Sequence, residues 1–228
     1  LNNCFCQTLL SNYLRFLIVV PYMKYRENTT DEEVIDEIFK KKVYDRNKFL
    51  NGDNWLDLGS HIGCFAFYLR DKGIRNIYCY EPHPNNYKLL MENIGSNCYN
   101  KAVYGINKPE FLYLANNTWR HTIYPVRRRK KIEIESININ EILKLHKIEN
   151  IKMDVEGAEY DILMNMNLDG IKKIVFEFTT KLGYDKLLDI VNRLEEHNFT
   201  VKYPKTIGYP DSIIFCCISL PCQPVFLL

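Results

Sequence analysis

From residue 54 onward the chain alternates short apolar runs with segments whose apolar positions recur every three or four residues. "NWLDLG" reads as a strand, "IGCFAFYLRDKG" as a helix, "NIYCYEP" as a strand, "NNYKLLMENIG" as a helix and "NKAVYG" as a third strand. Apolar strands spaced by amphipathic helices predict β-α-β units, with a parallel sheet buried on both faces. The rhythm then changes: "FLYLA", "HTIYPV" and "KIEIESI" are β-prone runs with only polar loops between them. They predict a small antiparallel excursion. The alternation resumes with "ININEILKLHK" as helix, "NIKMDV" as strand, "GAEYDILMNM" as helix, "KKIVFEF" as strand and "YDKLLDIVNRLEEHN" as helix. "FTVKYP" and "SIIFCCI" close the chain as a hairpin. The expected class is α/β: a seven-stranded, mostly parallel sheet with helices on both faces and a C-terminal antiparallel hairpin. Upstream, "TTDEEVIDEIFKKKVY" predicts an amphipathic helix with Thr30 or Asp31 as N-cap and Val34, Ile35, Ile38 and Phe39 on one face.

Composition narrows the class without changing the fold. With 228 residues, 46% of them hydrophobic and a formal charge of +2, the chain can bury one large core. Disorder and a disulfide mini-scaffold are excluded, and the near-neutral balance makes a nucleic-acid partner unlike this protein. Of the eight cysteines, no two stand at CxxC spacing, and most lie in apolar runs, which points to a reducing intracellular compartment. The apolar run from Phe16 to Tyr22 is far short of the ~20 residues of a membrane span. The chain starts on Leu, so residues 1–23 are expected to be a leader or linker from a larger multidomain protein, and residues 24–228 the functional domain.

Ligands of doubly wound sheets bind beyond the carboxyl ends of the strands, and four strand ends here carry polar or Gly residues. In "WLDLGSHIG", Gly59 and Gly63 allow a sharp turn and close backbone approach, with Asp57 adding a negative charge. His61 replaces the middle glycine of a dinucleotide fingerprint, which disfavours NAD. Glu81 ends the next strand, where a carboxylate can accept both hydroxyls of a ribose; a plain helix-start Glu before Pro82 is the alternative. Asp154, Glu156 and Glu159 cluster where a later strand meets its helix, with Gly157 making the turn. Capping accounts for either Glu alone, whereas Asp154 terminates an otherwise apolar strand. Glu177 in "IVFEF" is either a lip residue of the cleft or the outward member of an edge.

"WLDLGSHIGCFAFYL", "YCYEPHPNNYKLLMENI" and "IKMDVEGAEYDIL" resemble the three characteristic blocks of the FkbM family of S-adenosylmethionine-dependent methyltransferases. "RENTTDEEVIDEIFKKKVY" resembles the family's R-x-x-T-S-D segment, with Thr30 where Ser is common and, later, His61 where Asn is common. The resemblance runs from about Arg26 to Glu177 and implies a class I methyltransferase (Rossmann-like) domain over residues 24–228. It implies a cofactor site at Asp57, Gly59, Ser60, His61, Gly63 and Glu81, with Ala102 near the adenine. Its KxDxEGxE block falls on Lys152, Asp154, Glu156, Gly157 and Glu159, beside the transferred methyl. Family members are mostly O-methyltransferases of sugars and other hydroxyl-bearing metabolites, some in multi-module glycan-building proteins of large DNA viruses. A cytoplasmic location, that of the host if the source is viral, follows from that context.

Sugar hydroxyls are weak acids, so methyl transfer to one calls for a base held near it. Asp154 is the expected base, assisted by Glu156, with His121 in "NNTWRHT" as an alternative. Trp119 and Arg120, with Glu159 and Glu177, are expected on the carbohydrate acceptor. A divalent ion such as Mg²⁺ on Asp154 is the other way to acidify the hydroxyl. The run from Arg127 to Lys131 reads either as a dock for a phosphate-bearing acceptor or as a solvated loop, and no aromatic interleaves it. An RNA methyltransferase and a non-catalytic cofactor-binding module are the competing functions.

Overall fold

The computed structural model describes residues 23–45, 50–202 and 211–218. The proposed leader, apart from Met23, therefore lies outside the described residues, as do Cys4, Cys6 and Cys222. Met23 itself is buried in the core.

The leading helix α1 spans Asp31–Ile35 and runs on as a wider π-turn over Asp36–Lys41, ending at Lys42 in the left-handed region (φ 51°). Its apolar face buries Ile35, Ile38 and Phe39. The alternation predicted after residue 54 is then found in order. Strand β1 (Trp55–Leu58) leads to α2 (Cys64–Asp71), β2 (Ile77–Tyr80) to α3 (Pro84–Ile94), and β3 is Cys98–Tyr99. Short strands follow: β4 (Ala102–Tyr104), β5 (Phe111–Tyr113), β6 (Lys131–Glu133) and β7 (Ser136–Asn138). After α4 (Ile139–Leu145) come β8 (Asn150–Met153), α5 (Glu159–Asn165), β9 (Lys173–Thr179) and α6 (Tyr184–Glu196). Strands β10 (Phe199–Lys202) and β11 (Asp211–Ile218) close the described fold.

Seven strands form the main sheet in the order β10-β11-β9-β8-β1-β2-β3. The pairs β9-β8, β8-β1, β1-β2 and β2-β3 are parallel, and β11 is antiparallel to both β9 and β10. The chain winds outward from β1 through β2 and β3, then returns to β8 on the other side of β1. That reversal opens a crevice beyond the carboxyl ends of β1 and β8.

Two expectations from the sequence need correction. The third strand of the sheet is Cys98–Tyr99, two residues upstream of the "AVY" run; the Asn100 side chain then bonds the carbonyls of Glu81 and Pro82 and turns the chain out of the sheet. "AVY" instead pairs in parallel with Ser136–Asn138, and only β5 and β6 form the antiparallel excursion. "HTIYPV" contributes a single bridge, Tyr113 to Thr122, because the chain bends at Ile123 and Tyr124, and Ile123 lines the crevice.

Side-chain alternation along the strands decides what reaches that crevice. Leu56, Leu58, Ile151, Met153, Phe176 and Phe178 face one core, with Ile162, Leu187 and Leu194 of α5 and α6. Trp55 and Val175 face the other, with Phe65, Leu69 and Leu90 of α2 and α3 and Ile35 of the leading helix. By period two, Asp57 and Lys152, directly opposite each other in the β1–β8 register, share this second face. Asp154 and Glu177, two residues past Lys152 and Val175, continue it into the crevice.

Two local constraints hold the crevice walls. Gly59 has φ +72°, and a Cβ there would stand 1.7 Å from the Asp154 carbonyl oxygen. Only a glycine lets the turn after β1 pass so close to the end of β8. Beneath the Val155–Ala158 turn, Glu159 is 1% exposed. Its Oε1 accepts the Gly157 N–H at 3.0 Å and the Thr179 hydroxyl at 3.1 Å, which ties the turn to the end of β9. Burial pushes the Glu159 carboxyl up to about 7, although those two bonds oppose the rise.

Gly59→Ala is expected to cost at least ~3 kcal/mol in urea denaturation, a large share of a typical domain's stability. Gly73→Ala, whose Cβ would meet nothing within 4 Å, should cost only ~1 kcal/mol for its left-handed backbone. Glu159 predicts a pH signature. Its folded pKa lies above the unfolded 4.5, so its stabilisation is complete below pH 4.5 and is lost as pH rises through about 7. The stability of Glu159→Gln relative to wild type should rise by on the order of 3 kcal/mol across that window, measured by denaturation at each pH.

Candidate functional site

The crevice holds a cavity of about 290 Å³, near the small end of the ~300–1,000 Å³ usual for ligand sites. It has two ends of different chemistry. At one end, beside β1, β8 and β9, stand Tyr44, Lys152, Asp154 and Glu177. At the other, Glu81 at the tip of β2 is joined by the apolar side chains of Ala102, Val103, Leu112 and Ile123.

The first end is organised by a buried cation. Lys152 Nζ donates to the Gly59 carbonyl at 3.0 Å and lies 3.2 Å from Asp57 Oδ1 and 3.7 Å from Asp154 Oδ2. Burial alone would pull the ammonium's pKa down, but the charges of Asp57 and Asp154 more than compensate and raise it. Asp57, 0% exposed, is pushed up by burial and held back by Lys152. Its two carboxylate oxygens have no hydrogen-bond partner, so the ion pair is its compensation. The Tyr44 hydroxyl lies 3.3 Å from both Asp154 Oδ2 and Glu177 Oε2, within reach to donate to either. Burial and those two negative charges hold the phenol well above its ordinary pKa, so it stays protonated. The Asp154 side chain is 33% exposed, open to a ligand.

At the other end Glu81 is 5% exposed. Its Oε2 accepts the His61 N–H and its Oε1 the His83 N–H, both at 2.8 Å, with Asn86 Nδ2 at 3.4 Å. Burial pushes its carboxyl up, while His61 and these bonds limit the rise. His61 sits at φ +51°, a region that His and Asn tolerate better than most residues. Its ring Nε2 contacts Thr118 Oγ1 at 3.0 Å and Asp31 Oδ1 at 3.3 Å. Asp31, 0% exposed, also binds the Arg26 guanidinium through two nitrogens at 2.8 Å. Burial works to raise its carboxyl, but the bonds to His61 and Arg26 outweigh it and hold the group well below the usual range.

The structure brings together Gly59, Ser60, His61, Glu81 and Ala102 on one pocket, with Trp119, Arg120, His121, Asp154, Glu156 and Glu177. It does not bring Asp57, Gly63 or Glu159 to the wall. Asp57 lies behind it on Lys152, a Cβ on Gly63 would meet Leu90 and Ile94 at 2.9 Å, and Glu159 is folded under its turn. Glu156 lines the pocket with a left-handed backbone (φ 52°), and its carbonyl accepts the Thr122 hydroxyl at 2.7 Å. His121 Nδ1 accepts the Ala115 N–H at 3.0 Å, which assigns the neutral ring's proton to Nε2. Burial first, then the positive charges of His83, His61, Arg129 and Arg26, push its pKa down to about 3. The pocket therefore meets His121 as a donor.

Among the described residues no three His, Cys, Asp or Glu side chains stand close enough to hold a metal ion. Asp154 faces Lys152 and Tyr44, and this donor set does not fit the metal reading. No helix among the described residues is long and apolar enough to cross a membrane.

Sequence reasoning missed Tyr44, Asn86 and Thr118, and gave Asp31 only a capping role. Tyr44 follows the leading helix with no pattern to single it out, and Thr118 sits in a polar loop.

The chain matches the Methyltransferase FkbM domain over residues 57–201, well over half its length. It is 21% identical over 226 residues to methyltransferase sdnD of Sordaria araneosa, covering 78% of this chain and 85% of that protein. Among solved structures it is similar to precorrin-6y C5,15-methyltransferase from Geobacter metallireducens GS-15, at TM-score 0.44 and 14% identity over 87% of this chain and 94% of the other. It is also similar to TrmK of M. capricolum in complex with S-adenosyl-homocysteine, at TM-score 0.43 and 15% identity over 75% of this chain and 65% of the other. At these scores the strand order described above, and not the superposition, defines the fold. With that order and the three sequence blocks in place, the domain match shows that the chain belongs to the FkbM family of S-adenosylmethionine-dependent methyltransferases and carries its class I fold.

Proposed function

We propose that this protein methylates a hydroxyl oxygen of a carbohydrate acceptor. The observation that carries the reading is the Asp154 carboxylate, a third exposed at the switch point and within 3.3 Å of the Tyr44 hydroxyl.

The residues present fit S-adenosylmethionine. Glu81 uses three of its about four acceptor sites, which leaves one on Oε2 for a ribose hydroxyl, and the Asn86 bond on Oε1 is long at 3.4 Å and can yield to the second. The Gly59–His61 turn brings backbone close to the cavity, and Ala102, Val103, Leu112 and Ile123 give a flat base an apolar wall. When bound, the cofactor supplies a methyl already activated by its sulfonium.

The chain's own task is to orient an acceptor oxygen and remove its proton. Asp154 accepts that proton. Glu177, on the same face and on the same phenol, accepts a second hydroxyl of the acceptor and fixes its rotation. Tyr44 donates between the two carboxylates and keeps them from splaying apart. Carboxylates are acceptor-only groups, and an acceptor rich in hydroxyl donors matches them better than an amine-free apolar molecule would. Lys152 remains an ammonium, so it anchors Asp57 and the Gly59 carbonyl and takes no proton.

Asp154→Asn should bind S-adenosylhomocysteine within about twofold of wild type by calorimetry and lose turnover by ~10²–10⁴, the usual worth of a general base. Full activity would remove the base assignment. The activity readout is labelled methyl transfer onto a panel of glycans with mass spectrometry of the products; methylation only of RNA or of a nitrogen would overturn the acceptor class. Tyr44→Phe removes the hydroxyl within 3.3 Å of both carboxylates and should lower kcat about tenfold with S-adenosylhomocysteine affinity unchanged by calorimetry; an unchanged kcat would refute the role of Tyr44.

A further inference from the structure

Two cysteines stand side by side in the main sheet. The parallel register of β2 and β3 puts Cys79 directly opposite Cys98, and both side chains pack in the core beside α2 and α3. Both are free thiols; Cys79 is fully buried and Cys98 half-buried. The Cys79 thiol donates to the Cys98 sulfur, and the Cys98 thiol donates in turn to the Ser96 carbonyl at 3.3 Å. The two are therefore unequal. The bond from Cys79 holds the Cys98 thiol below its ordinary pKa, with the Arg70 charge adding to the effect and burial opposing it. The same bond, and burial, push Cys79 well above its own. A half-buried cysteine with thiolate character is the reactive kind, and a buried thiol against it is placed to trap what it becomes.

The framework permits a bond between them. Neighbouring strands run about 4.8 Å apart and a disulfide needs Cβ atoms about 3.5–4.5 Å apart, so one strand has to shift by about 1 Å. Strand β2 is held between β1 and β3, whereas β3 is a two-residue strand at the edge of the sheet. The edge strand is the one that yields. Its movement falls on the Glu81 end of the cavity. Glu81 donates its backbone N–H to the Tyr99 carbonyl at 3.1 Å, and Asn100 Nδ2 holds the Glu81 and Pro82 carbonyls at 2.8 and 3.0 Å. Tyr99 and Asn100 directly follow Cys98, so a displaced β3 moves the supports of Glu81.

We propose that Cys79 and Cys98 form a peroxide-sensitive dithiol whose closure to a disulfide displaces β3 and weakens binding at Glu81. With hydrogen peroxide as the oxidant, the Cys98 sulfur attacks one oxygen and breaks the O–O bond, which gives a sulfenic acid and one water. The Cys79 sulfur then attacks the Cys98 sulfur; the S–S bond forms, the S–O bond breaks, and the hydroxyl leaves with the Cys79 proton as a second water. The two thiols lose two electrons and the peroxide gains them. The bridge stands apart from the methyltransferase reading; its effect on binding rests on that reading.

Treatment with excess hydrogen peroxide, alkylation of the remaining thiols and tryptic digestion test the bridge. Cleavage after Arg75, Lys88 and Lys101 leaves Cys79 and Cys98 on separate peptides, 76–88 and 89–101, with no other cysteine on either. Mass spectrometry should find these two joined and lighter by two hydrogens, and dithiothreitol should part them. Recovery of both peptides unlinked, or linked only to other cysteines, overturns the proposal. Cys98→Ser removes the attacking thiol and should leave Cys79 reduced; oxidation of Cys79 as fast as in wild type would refute the order of attack. Should that variant not fold, trapping with dimedone in the wild type decides, and a sulfenic acid on Cys79 instead of Cys98 refutes the same order.

Calorimetry with S-adenosylhomocysteine reads the consequence. Affinity should fall about three- to tenfold on oxidation, the worth of one hydrogen bond. It should return with dithiothreitol and stay constant in Cys98→Ser treated the same way. A bridge with unchanged affinity overturns the link to Glu81. If the reduced wild type does not bind S-adenosylhomocysteine, the cofactor reading and that link fail together, while the digest still decides the bridge.

Discussion

Lys152 buries its ammonium within 3.2 Å of Asp57 and 3.0 Å of the Gly59 carbonyl, and the crevice is arranged around that charge. A carboxylate as enclosed as Asp57 needs a counter-charge, and a lysine as enclosed as Lys152 needs more than one anion to stay charged. The parallel register of β1 and β8 puts the two side chains opposite each other on one face, so topology supplies the pairing. The same ammonium then reaches the turn after β1 and the first acid past β8. Removing one member of such a buried pair commonly costs ~3–5 kcal/mol because the other charge is stranded. The pair thus fixes how closely the two strand ends approach, and with Gly59 it sets the geometry of the Asp154 end of the crevice.

Much of this was legible in the sequence because strands obey a period of two and ligands gather at their carboxyl ends. Gly59, Glu81, Asp154 and Glu177 were singled out from those two rules, and all four line the cavity. The rules do not say how far along a strand the helices will cover it. Asp57 shares the face of Asp154 and Glu177 but lies inside β1, where it serves Lys152, and Glu159 turns under its own helix start to hold Gly157 and Thr179. Both carry the residue type of a site without reaching it. The third strand was misplaced for a related reason: two residues, Cys98 and Tyr99, are too few to show a period, whereas the apolar "AVY" beside them is not part of the main sheet.

The residues that sequence reading missed come from segments far apart in the chain. Tyr44 reaches Asp154 across 110 positions, and Thr30 reaches Thr118 across 88. Such contacts are created by packing the leading helix on the second face of the sheet, and no local pattern encodes them. The Arg26–Asp31 segment lies upstream of the matched residues 57–201, yet Asp31 bonds or contacts Arg26, His61 and Thr118 at once. A run that reads as an ordinary helix start with acidic first-turn residues is therefore part of the framework at the Glu81 end of the cavity.

These contacts divide the cavity into a fixed end and a reactive one. At the fixed end, Asp31 and Glu81 are both buried and each accepts several bonds from separate segments, so moving either breaks contacts to more than one element. At the reactive end, Asp154 is a third exposed and lies 3.3 Å from the Tyr44 oxygen, a distance at which a hydrogen bond is already weak. A carboxylate fully satisfied by the protein would have no lone pair to offer an incoming hydroxyl, whereas one with a long, shared donor can exchange it. In the proposed reaction, loose satisfaction at Asp154 and tight satisfaction at Asp31 and Glu81 are complementary requirements: the nucleoside is to be held still while the acceptor's proton finds an oxygen still able to receive it.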